Sequence, residues 1–164
     1  MRMAMEAKGA GRFVVRKSVV VNAPQEHAFA VFTEQLGSWW PLMHYHIGEE
    51  PPETAVMETQ VGGRWFERSS SGVECNWGRV LVWEPPSRVV LSWDITSDWQ
   101  YDPNLGTEVE VRFIPEGPGV TRVELEHRRL ERYGIKADAM RDIFDSEHGW
   151  GAVLQAYAQV ASRK

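Results

Sequence analysis

Two histidines separated by one residue are the best candidates for chemistry in this sequence. His44 and His46 flank a tyrosine, and Glu49 and Glu50 follow on a segment that is interrupted by Gly and Pro. In an extended segment this spacing places both imidazoles on one side, which is a common beginning of a metal site. The third ligand would have to come from a distant carboxylate: Glu58, Glu67 or Glu74. Because the local spacing supplies none, we predict no metal and expect both imidazoles to contact a polar group of a ligand. Structural or solvent-exposed histidines are the alternative.

Three charged residues lie on predicted strands that are rich in aromatic residues: Glu67, Glu74 and Arg79. A side chain of this kind that points into an apolar cavity must be paired or must contact a ligand, because burying an isolated charge is costly. A side chain that points outward forms an ordinary surface pair that contributes little. Strict alternation places Glu67 on the same face as Trp65, places Arg79 on the same face as Trp77, and places Glu74 on the face opposite Trp77. The sequence leaves open which face is buried.

Tryptophan is unusually frequent, with eight in 164 residues. Most lie between Trp39 and Trp99, where they alternate with charged and polar residues instead of forming one apolar run. So much flat aromatic surface is typical of a wall around an apolar ligand. The alternative is that the indoles are core residues that fill the interior themselves. A dry void of ~300 Å³ would cost on the order of 7 kcal/mol, so such a space must hold water, ligand or bulky side chains.

The sequence carries no complete catalytic signature. It has no Gly-x-Ser-x-Gly elbow, no His-Glu-x-x-His pair, no phosphate-binding loop and no dinucleotide fingerprint. Cys75, the single cysteine, lies in a predicted strand without a histidine close by in sequence, which argues against a nucleophilic role. His127 and His148 are isolated. We therefore assign no catalytic residue and no cofactor, and leave open whether the protein is an enzyme.

Composition favours one globular domain with a small-molecule partner. The net charge is −5 and no basic run is long enough to follow a phosphate backbone, which argues against nucleic-acid binding. No stretch approaches the ~20 apolar residues that span a bilayer. Residues 1–11 lack the apolar core of a signal peptide, and a single cysteine suits a reducing cytosol. We expect a cytoplasmic protein with a flexible leader at 1–11 and a single domain at 12–164.

The N-terminal part of the chain predicts a strand followed by a helix. Residues 13–21 are rich in β-branched side chains, which is typical of a strand. Asn22 could then cap a helix with Gln25 three residues later, or Pro24 could occupy the first helical position. Apolar residues at helical spacing follow, and Gly37 is expected to end this helix.

Short segments separated by turn residues dominate the middle of the chain. Residues 38–52 are irregular because of repeated Pro and Gly. The predicted strands after them are 54–60, 64–69, 73–83, 87–95, 106–114 and 119–128. Tight turns rich in Gly, Pro and Ser separate these segments, which predicts an antiparallel meander.

The last thirty residues change from the period of a strand to that of a helix. Residues 139–144 and 150–161 carry apolar stripes at spacings of three and four. His148-Gly149-Trp150-Gly151 lies between them, so we expect a kink or a break there. The final amphipathic helix is suited to cover the apolar face of the sheet and to close a pocket beneath it.

Several short motifs occur in an order typical of a known superfamily: Trp39-Trp40-Pro41, Val61-Gly62-Gly63-Arg64, Trp77-Gly78-Arg79-Val80, Trp83-Glu84-Pro85-Pro86, Val89-Val90-Leu91-Ser92-Trp93 and Gly149-Trp150. Together with the preceding strand and Pro-initiated helix, they resemble the START-like helix-grip superfamily. This group is also called the polyketide cyclase and lipid-transport superfamily (SRPBCC). Within it, the chain is similar to the bacterial homologues of the activator of heat shock protein 90 ATPase. The resemblance covers about residues 12–162.

The resemblance implies an α+β helix-grip fold. In such a fold, a curved antiparallel sheet of about six to seven strands wraps around a long C-terminal helix, short helices follow the first strand, and a cavity lies between sheet and helix. The resemblance implies no particular reaction, because members of the superfamily carry lipids, hormones or polyketides, cyclise or hydrolyse substrates, or bind partners.

We predict that the protein binds a small hydrophobic or aromatic ligand in this internal cavity. The expected ligand-binding residues are the wall tryptophans Trp39, Trp40, Trp65, Trp77 and Trp93, and the polar anchors His44, His46 and Glu67. One alternative is a cyclase or hydrolase of the same fold, with His44 or His46 as general base and Glu67 as its partner. Another is a chaperone-cofactor-like protein interaction module, which an exposed apolar patch on residues 38–52 would favour. An uncovered edge strand leaves a homodimer open.

Overall fold

The structure is a computed structural model that describes residues 11–163. Of the predicted flexible leader, Gly11 alone falls within this range, and the prediction for residues 1–10 lies outside the described residues. The elements of the described chain are β1 (Val15–Val21), α1 (Gln25–Phe32), a 3₁₀ helix (Leu36–Ser38), β2 (Pro52–Met57), β3 (Arg64–Ser69), β4 (Glu74–Glu84), β5 (Arg88–Trp93), β6 (Thr107–Gly117), β7 (Val120–Arg128), a second 3₁₀ helix (Leu130–Lys136), α2 (Ala137–Asp145) and α3 (Trp150–Ala161).

A curled antiparallel sheet forms the framework, and within residues 11–163 it has seven strands in the order β1-β7-β6-β5-β4-β3-β2. The strands from β2 to β7 pair with their neighbours in sequence, which gives the predicted meander. β1 pairs with β7, with Val15 opposite His127 and Val21 opposite Thr121. The α+β helix-grip fold is therefore confirmed. Within the same residues, no helix is long and apolar enough to cross a membrane.

Helix α3 covers the concave side of the sheet, where it packs against β1 and α1. Its buried side chains recur at spacings of three and four: Trp150, Val153, Leu154, Tyr157 and Ala161. This stripe is the predicted one, and the predicted break before it lies at residues 146–149. The Tyr157 hydroxyl donates to the Ala28 carbonyl at 2.7 Å, which links α3 to α1. The two helices thus pack as one layer against the sheet.

Helix α1 is shorter than predicted. It ends at Phe32, and the hydroxyl of Thr33 donates to the Phe29 carbonyl at 2.8 Å, where the chain leaves the helix. Gly37 does not end α1. A Cβ at Gly37 would lie 2.4 Å from Thr54 Oγ1 and 2.9 Å from the Ala55 carbonyl, so glycine is needed there for close approach to β2.

The start of α1 matches neither of the two predicted arrangements. Gln25 is the first helical residue, so Pro24 precedes the helix and does not occupy its first position, and no side chain caps the helix. The side-chain amide Nε2 of Gln25 donates to the Phe113 carbonyl at 2.8 Å. Asn22 and Gln25 therefore do not form the reciprocal capping pair, and Gln25 instead ties the helix to β6.

A β-bulge at Trp77 interrupts the alternation of side chains along β4. Trp65 pairs with Gly78 and Phe66 pairs with Asn76, so Trp77 is an extra residue between them. As a result, Trp77 is buried while Arg79 is exposed, and the predicted placement of these two side chains on one face is wrong. The bulge turns the Trp77 indole towards the interior of the curled sheet.

Charged residues on the other face of the sheet form a network centred on Glu110 of β6, which is only 5% exposed. Its carboxylate accepts hydrogen bonds from Arg88 Nε at 2.6 Å, from Arg112 Nε at 2.8 Å, and from Arg128. Burial raises the pKa of Glu110, but the hydrogen bonds from the three guanidinium groups outweigh it and lower the pKa to about 2. The network links β5, β6 and β7 through their side chains.

We expect Glu110→Gln to lower the free energy of unfolding by about 2 kcal/mol at neutral pH, because the guanidinium groups lose their shared anion. The folded pKa lies below the ordinary value of 4.5, so the stabilisation is present above that pH and is lost as the pH falls towards about 2. Urea unfolding at about pH 7 and about pH 3 measures both effects. Glu124→Gln, which affects an exposed pair with Arg122, is the control and should change little. Equal losses in both variants would contradict the prediction.

Candidate functional site

A cavity of about 380 Å³ lies between the sheet, the segment that follows α1, and the turn between α2 and α3. Its interior is aromatic, with walls that come from separate parts of the chain: Trp40, Trp77, Trp93, Phe144 and Trp150. The ring centroids of Trp40 and Trp77 are 4.9 Å apart, and those of Trp93 and Trp150 are 5.4 Å apart. Contacts at these distances stabilise the aromatic cluster beyond the burial of its area.

The structure places the predicted ligand-binding residues in two groups. On the cavity surface are Trp40, His44, His46, Trp77 and Trp93. Trp39, Trp65 and Glu67 are buried and do not line the cavity. The Trp39 indole N–H donates to the Val31 carbonyl at 2.8 Å, and that of Trp65 donates to the Ser92 carbonyl at 2.8 Å. These two indoles are core residues behind the aromatic wall.

Glu67 lies directly behind this wall and is 2% exposed. Its Oε1 accepts from the backbone N–H of Ile47 at 2.7 Å and from the Trp77 indole N–H at 2.9 Å. Its Oε2 accepts from the backbone N–H of Gly48 at 3.0 Å. The buried carboxylate therefore has three donors, as a charge removed from water requires. Through them it fixes both the loop of residues 41–50, here called the 41–50 loop, and one wall of the cavity.

The hydrogen bond between His46 and Gly48 determines which nitrogen of the imidazole ring is free. His46 Nδ1 lies 3.1 Å from the Gly48 carbonyl oxygen and 3.9 Å from Glu67 Oε2. A carbonyl oxygen can only accept, so Nδ1 carries the proton in this bond and, in the neutral ring, Nε2 is an unprotonated acceptor. A carboxylate near one nitrogen and a free second nitrogen is an arrangement suited to general-base chemistry.

The rim of the cavity is held by a bridge between the 41–50 loop and the turn that precedes α3. The Tyr45 hydroxyl donates to the His148 carbonyl at 2.7 Å, and the Trp40 indole N–H donates to the Tyr45 carbonyl at 2.9 Å. Gly149 follows in the turn, where a Cβ would lie 2.1 Å from the Phe144 carbonyl oxygen. Only glycine permits this close approach of the turn to the end of α2.

Trp150 is oriented by a histidine that is isolated in sequence but central in the fold. His127 is fully buried, and its Nδ1 accepts from the Trp150 indole N–H at 3.0 Å. Its Nε2 therefore carries the proton and donates to Thr107 Oγ1 at 3.0 Å. Burial lowers the pKa of His127 to about 3, so the ring is neutral near pH 7 and this tautomer is the one present.

Several lining residues were not among the predicted site residues: Tyr45, Ile47, Trp99, Ile143, Phe144, His148 and Trp150. The residues around the break between the two C-terminal helices could have been found, because a broken apolar stripe brings both helix ends to one place. Tyr45 and Ile47 lie beside the histidines that were singled out. Trp99 gave no signal beyond its residue type. Among residues 11–163, no group of three His, Cys, Asp or Glu side chains is placed to hold a metal ion.

The fold and the aromatic cavity define a helix-grip protein, and comparison with known proteins identifies its family. The family model described as "Activator of Hsp90 ATPase homolog 1-like protein" matches residues 22–161. The chain belongs to this family, which confirms the resemblance that its motifs indicated. A search of curated proteins finds no match.

Solved structures provide further relatives. An anthrahydroquino-gamma-pyrone synthase, Txn09, complexed with SUM, is 41% identical, with a TM-score of 0.63, and the match covers 90% of this chain and 96% of that one. CalC from Micromonospora echinospora, a self-sacrificing resistance protein, is 31% identical, with a TM-score of 0.67 and coverage of 90% and 93%. Protein NE0264 from Nitrosomonas europaea, at 13% identity, TM-score 0.63 and coverage of 92% and 95%, shares the fold alone.

We expect two substitutions at Glu67 to have separable effects on the 41–50 loop. Glu67→Gln can keep the oxygen that accepts from Ile47 and Trp77, but it places an amide NH₂ against the N–H of Gly48. Glu67→Leu removes both acceptor oxygens and should cost about 3 kcal/mol of unfolding free energy, because three donors are left unpaired. Amide hydrogen exchange then reports the loop directly: Gly48 exchanges faster in both variants, whereas Ile47 exchanges faster in the leucine variant alone.

Glu58→Gln is the control for this pair, because Glu58 is a half-exposed carboxylate that bonds Arg64 and not the loop. Unchanged exchange at Gly48 in both Glu67 variants would show that the carboxylate does not hold the loop.

Proposed function

We propose that the protein binds a planar, mainly apolar aromatic ligand in the cavity. The observation that carries this proposal is that three indole N–H groups around the cavity donate hydrogen bonds to the protein itself. Trp40, Trp77 and Trp150 donate to Tyr45, Glu67 and His127, respectively. The buried N–H of Trp93, which also lines the cavity, has no hydrogen-bond partner among residues 11–163. The polar atoms of the other three indoles are satisfied by the protein, so their rings offer the cavity apolar surfaces. Such surfaces favour a flat aromatic partner over a hydrogen-bonding one.

The size of the cavity supports the same class of ligand. At a packing density of about 0.75, the volume of about 380 Å³ accommodates roughly 280 Å³ of ligand, or about three fused aromatic rings with their substituents. His44, His46 and His148 lie at the rim, where they can contact hydroxyl or carbonyl groups on the edge of the ring system. A fused aromatic compound with phenolic or quinone oxygens fits both features.

Family membership and fold suggest a ligand-binding or cyclase-like protein of the SRPBCC superfamily. The synthase that is 41% identical is named for an anthrahydroquino-gamma-pyrone, which is a fused aromatic compound. Its name supports the ligand class proposed here, because the match extends over nine-tenths of the chain. A cytoplasmic location is part of the proposal, and the single cysteine, half-buried Cys75, supports it.

A chaperone-cofactor-like role receives less support. The sequence prediction tied that role to an exposed apolar patch on residues 38–52. In this range, Met43 is the one large apolar side chain that is exposed, whereas Trp39 and Trp40 are buried. We therefore do not propose a protein-interaction function for this segment.

Danthron, a dihydroxyanthraquinone, is a suitable first probe of binding. We expect wild-type protein to bind it, and Val153→Trp to weaken the affinity by about tenfold or more, because Val153 is a buried wall residue and the larger ring fills the cavity. Calorimetric titration gives both affinities. Gln155→Trp is the matched control, since it adds the same side chain to an exposed position of α3 and should leave the affinity unchanged. Equal affinities for wild type and Val153→Trp would rule out this cavity as the binding site.

Cyclisation is the second candidate function, and it is favoured by His46, a residue at the rim of the cavity whose Nε2 is free. A phenol next to a β-diketone closes to a γ-pyrone when the phenol oxygen attacks the distal carbonyl carbon and one water is lost. His46 Nε2 would accept the phenol proton as that carbon–oxygen bond forms. Glu67 would stabilise the resulting imidazolium from the Nδ1 side.

We expect His46→Gln to slow the closure of a hydroxyaryl β-diketone by about 100-fold or more while danthron affinity changes by no more than about threefold. Absorbance of the pyrone product follows the reaction, and titration follows binding. His27→Gln is the control, because His27 is exposed on α1 and does not line the cavity. Wild-type turnover in His46→Gln would exclude His46 as the base and would leave the binding proposal intact.

A further inference from the structure

Trp99 has a backbone conformation that its residue type rarely adopts. It lies in the connection between β5 and β6 with a φ of 60°, in the left-handed region. There the Cβ of an L-residue crowds the following carbonyl, so glycine and asparagine are the usual occupants. Among residues 11–163, the other non-glycine residue with positive φ is Arg129, whose guanidinium pairs with Glu108. The positive φ of Trp99 therefore needs a separate explanation.

The hydrogen bonds of the turn do not require a tryptophan at position 99. The Trp99 backbone N–H donates to the Thr96 carbonyl at 2.9 Å, and the Thr96 N–H donates to the Gln100 carbonyl at 2.8 Å. The Thr96 hydroxyl accepts from the N–H groups of Asp98 at 3.3 Å and Gln100 at 3.2 Å. All of these bonds are made by the backbone and by Thr96. The turn therefore needs a residue that tolerates positive φ, and it gains no hydrogen bond from the indole.

The side chain of Trp99 belongs to the cavity. Trp99 and Ile143 both line it, yet they are 42% and 45% exposed, whereas the wall residues Trp77 and Trp150 are 1% and 3% exposed. Residues that line a cavity and also face solvent lie at its opening. The opening thus presents an exposed aromatic and an exposed aliphatic side chain in addition to the rim histidines. A single exposed hydrophobic residue is ordinary on a protein surface, but at Trp99 it coincides with a backbone conformation that is strained for a bulky side chain.

We propose that Trp99 is a specificity-determining residue that stacks on the part of an aromatic ligand that lies at the opening of the cavity. The proposal builds on the aromatic-ligand function given above and adds that the ligand reaches this opening. Trp99 and Ile143 line the same volume of about 380 Å³ that accommodates about three fused rings, so the ring nearest the solvent would lie between them. Strained conformations persist where function selects them, and stacking on ligand is the use that this geometry offers.

Two probes of different length test this directly: danthron and a phenyl-substituted danthron. In Trp99→Asn we expect the affinity for the phenyl-substituted probe, divided by the affinity for danthron, to fall by about tenfold. The longer probe loses one aromatic stacking contact, whereas danthron does not. Trp99→Phe should restore most of the ratio. The unfolding midpoint of Trp99→Asn should be unchanged or higher, since asparagine tolerates positive φ. Val153→Trp, which acts inside the cavity, should weaken both probes alike.

The outcomes separate this inference from the proposed function. If danthron binds wild type and is blocked by Val153→Trp, but Trp99→Asn leaves the ratio unchanged, the role of Trp99 is overturned and the cavity site stands. A lower unfolding midpoint in Trp99→Asn with an unchanged ratio would assign the indole to packing and would overturn the inference in the same way. If neither probe binds the wild-type protein, both the aromatic-ligand function and the role of Trp99 are overturned.

Discussion

The buried carboxylate of Glu67 is the interaction on which the site depends. A charge that is almost fully removed from water needs donors, and here they come from the 41–50 loop and from Trp77. Satisfying the charge therefore joins two parts of the chain that no backbone ladder connects. The same contact positions the histidine rim above the cavity and the indole wall beside it. Replacing Glu67 by an apolar residue would leave the bond from Ser69 of β3 to Glu50 as a remaining side-chain link between the loop and the sheet.

The tryptophans combine two roles that the sequence presented as alternatives. Trp39 and Trp65 are core residues, whereas Trp40, Trp77, Trp93 and Trp150 are core residues on one side and cavity wall on the other. A closed, dry void of this size would be costly, at ~24 cal/mol per Å³. The cavity instead opens towards exposed residues at its rim, so water or ligand can occupy it. The curled sheet therefore keeps an internal space without the full cost of an empty one.

Prediction from sequence succeeded where local pattern decides the structure and failed where a neighbouring element decides it. The strands and the broken C-terminal helices followed from period and turn residues. Strict alternation failed at Trp77, because a bulge is a property of the pairing between two strands. Gly37 looked like a helix end, but its role is contact with β2. Glu67 was expected to touch ligand, and its position behind the wall depends on a loop with no periodic signal.

Three departures from local rules meet at the cavity. The strand that carries Trp77 is bulged at that residue, although register shifts also occur in the pairings of β2 with β3, β4 with β5 and β6 with β7. A buried carboxylate and a tryptophan with positive φ lie at the same end of the fold as this bulge, since Glu67 bonds Trp77, and Trp77 and Trp99 line one cavity. Their coincidence at one cavity indicates that its shape, and not the stability of the sheet, determines these residues.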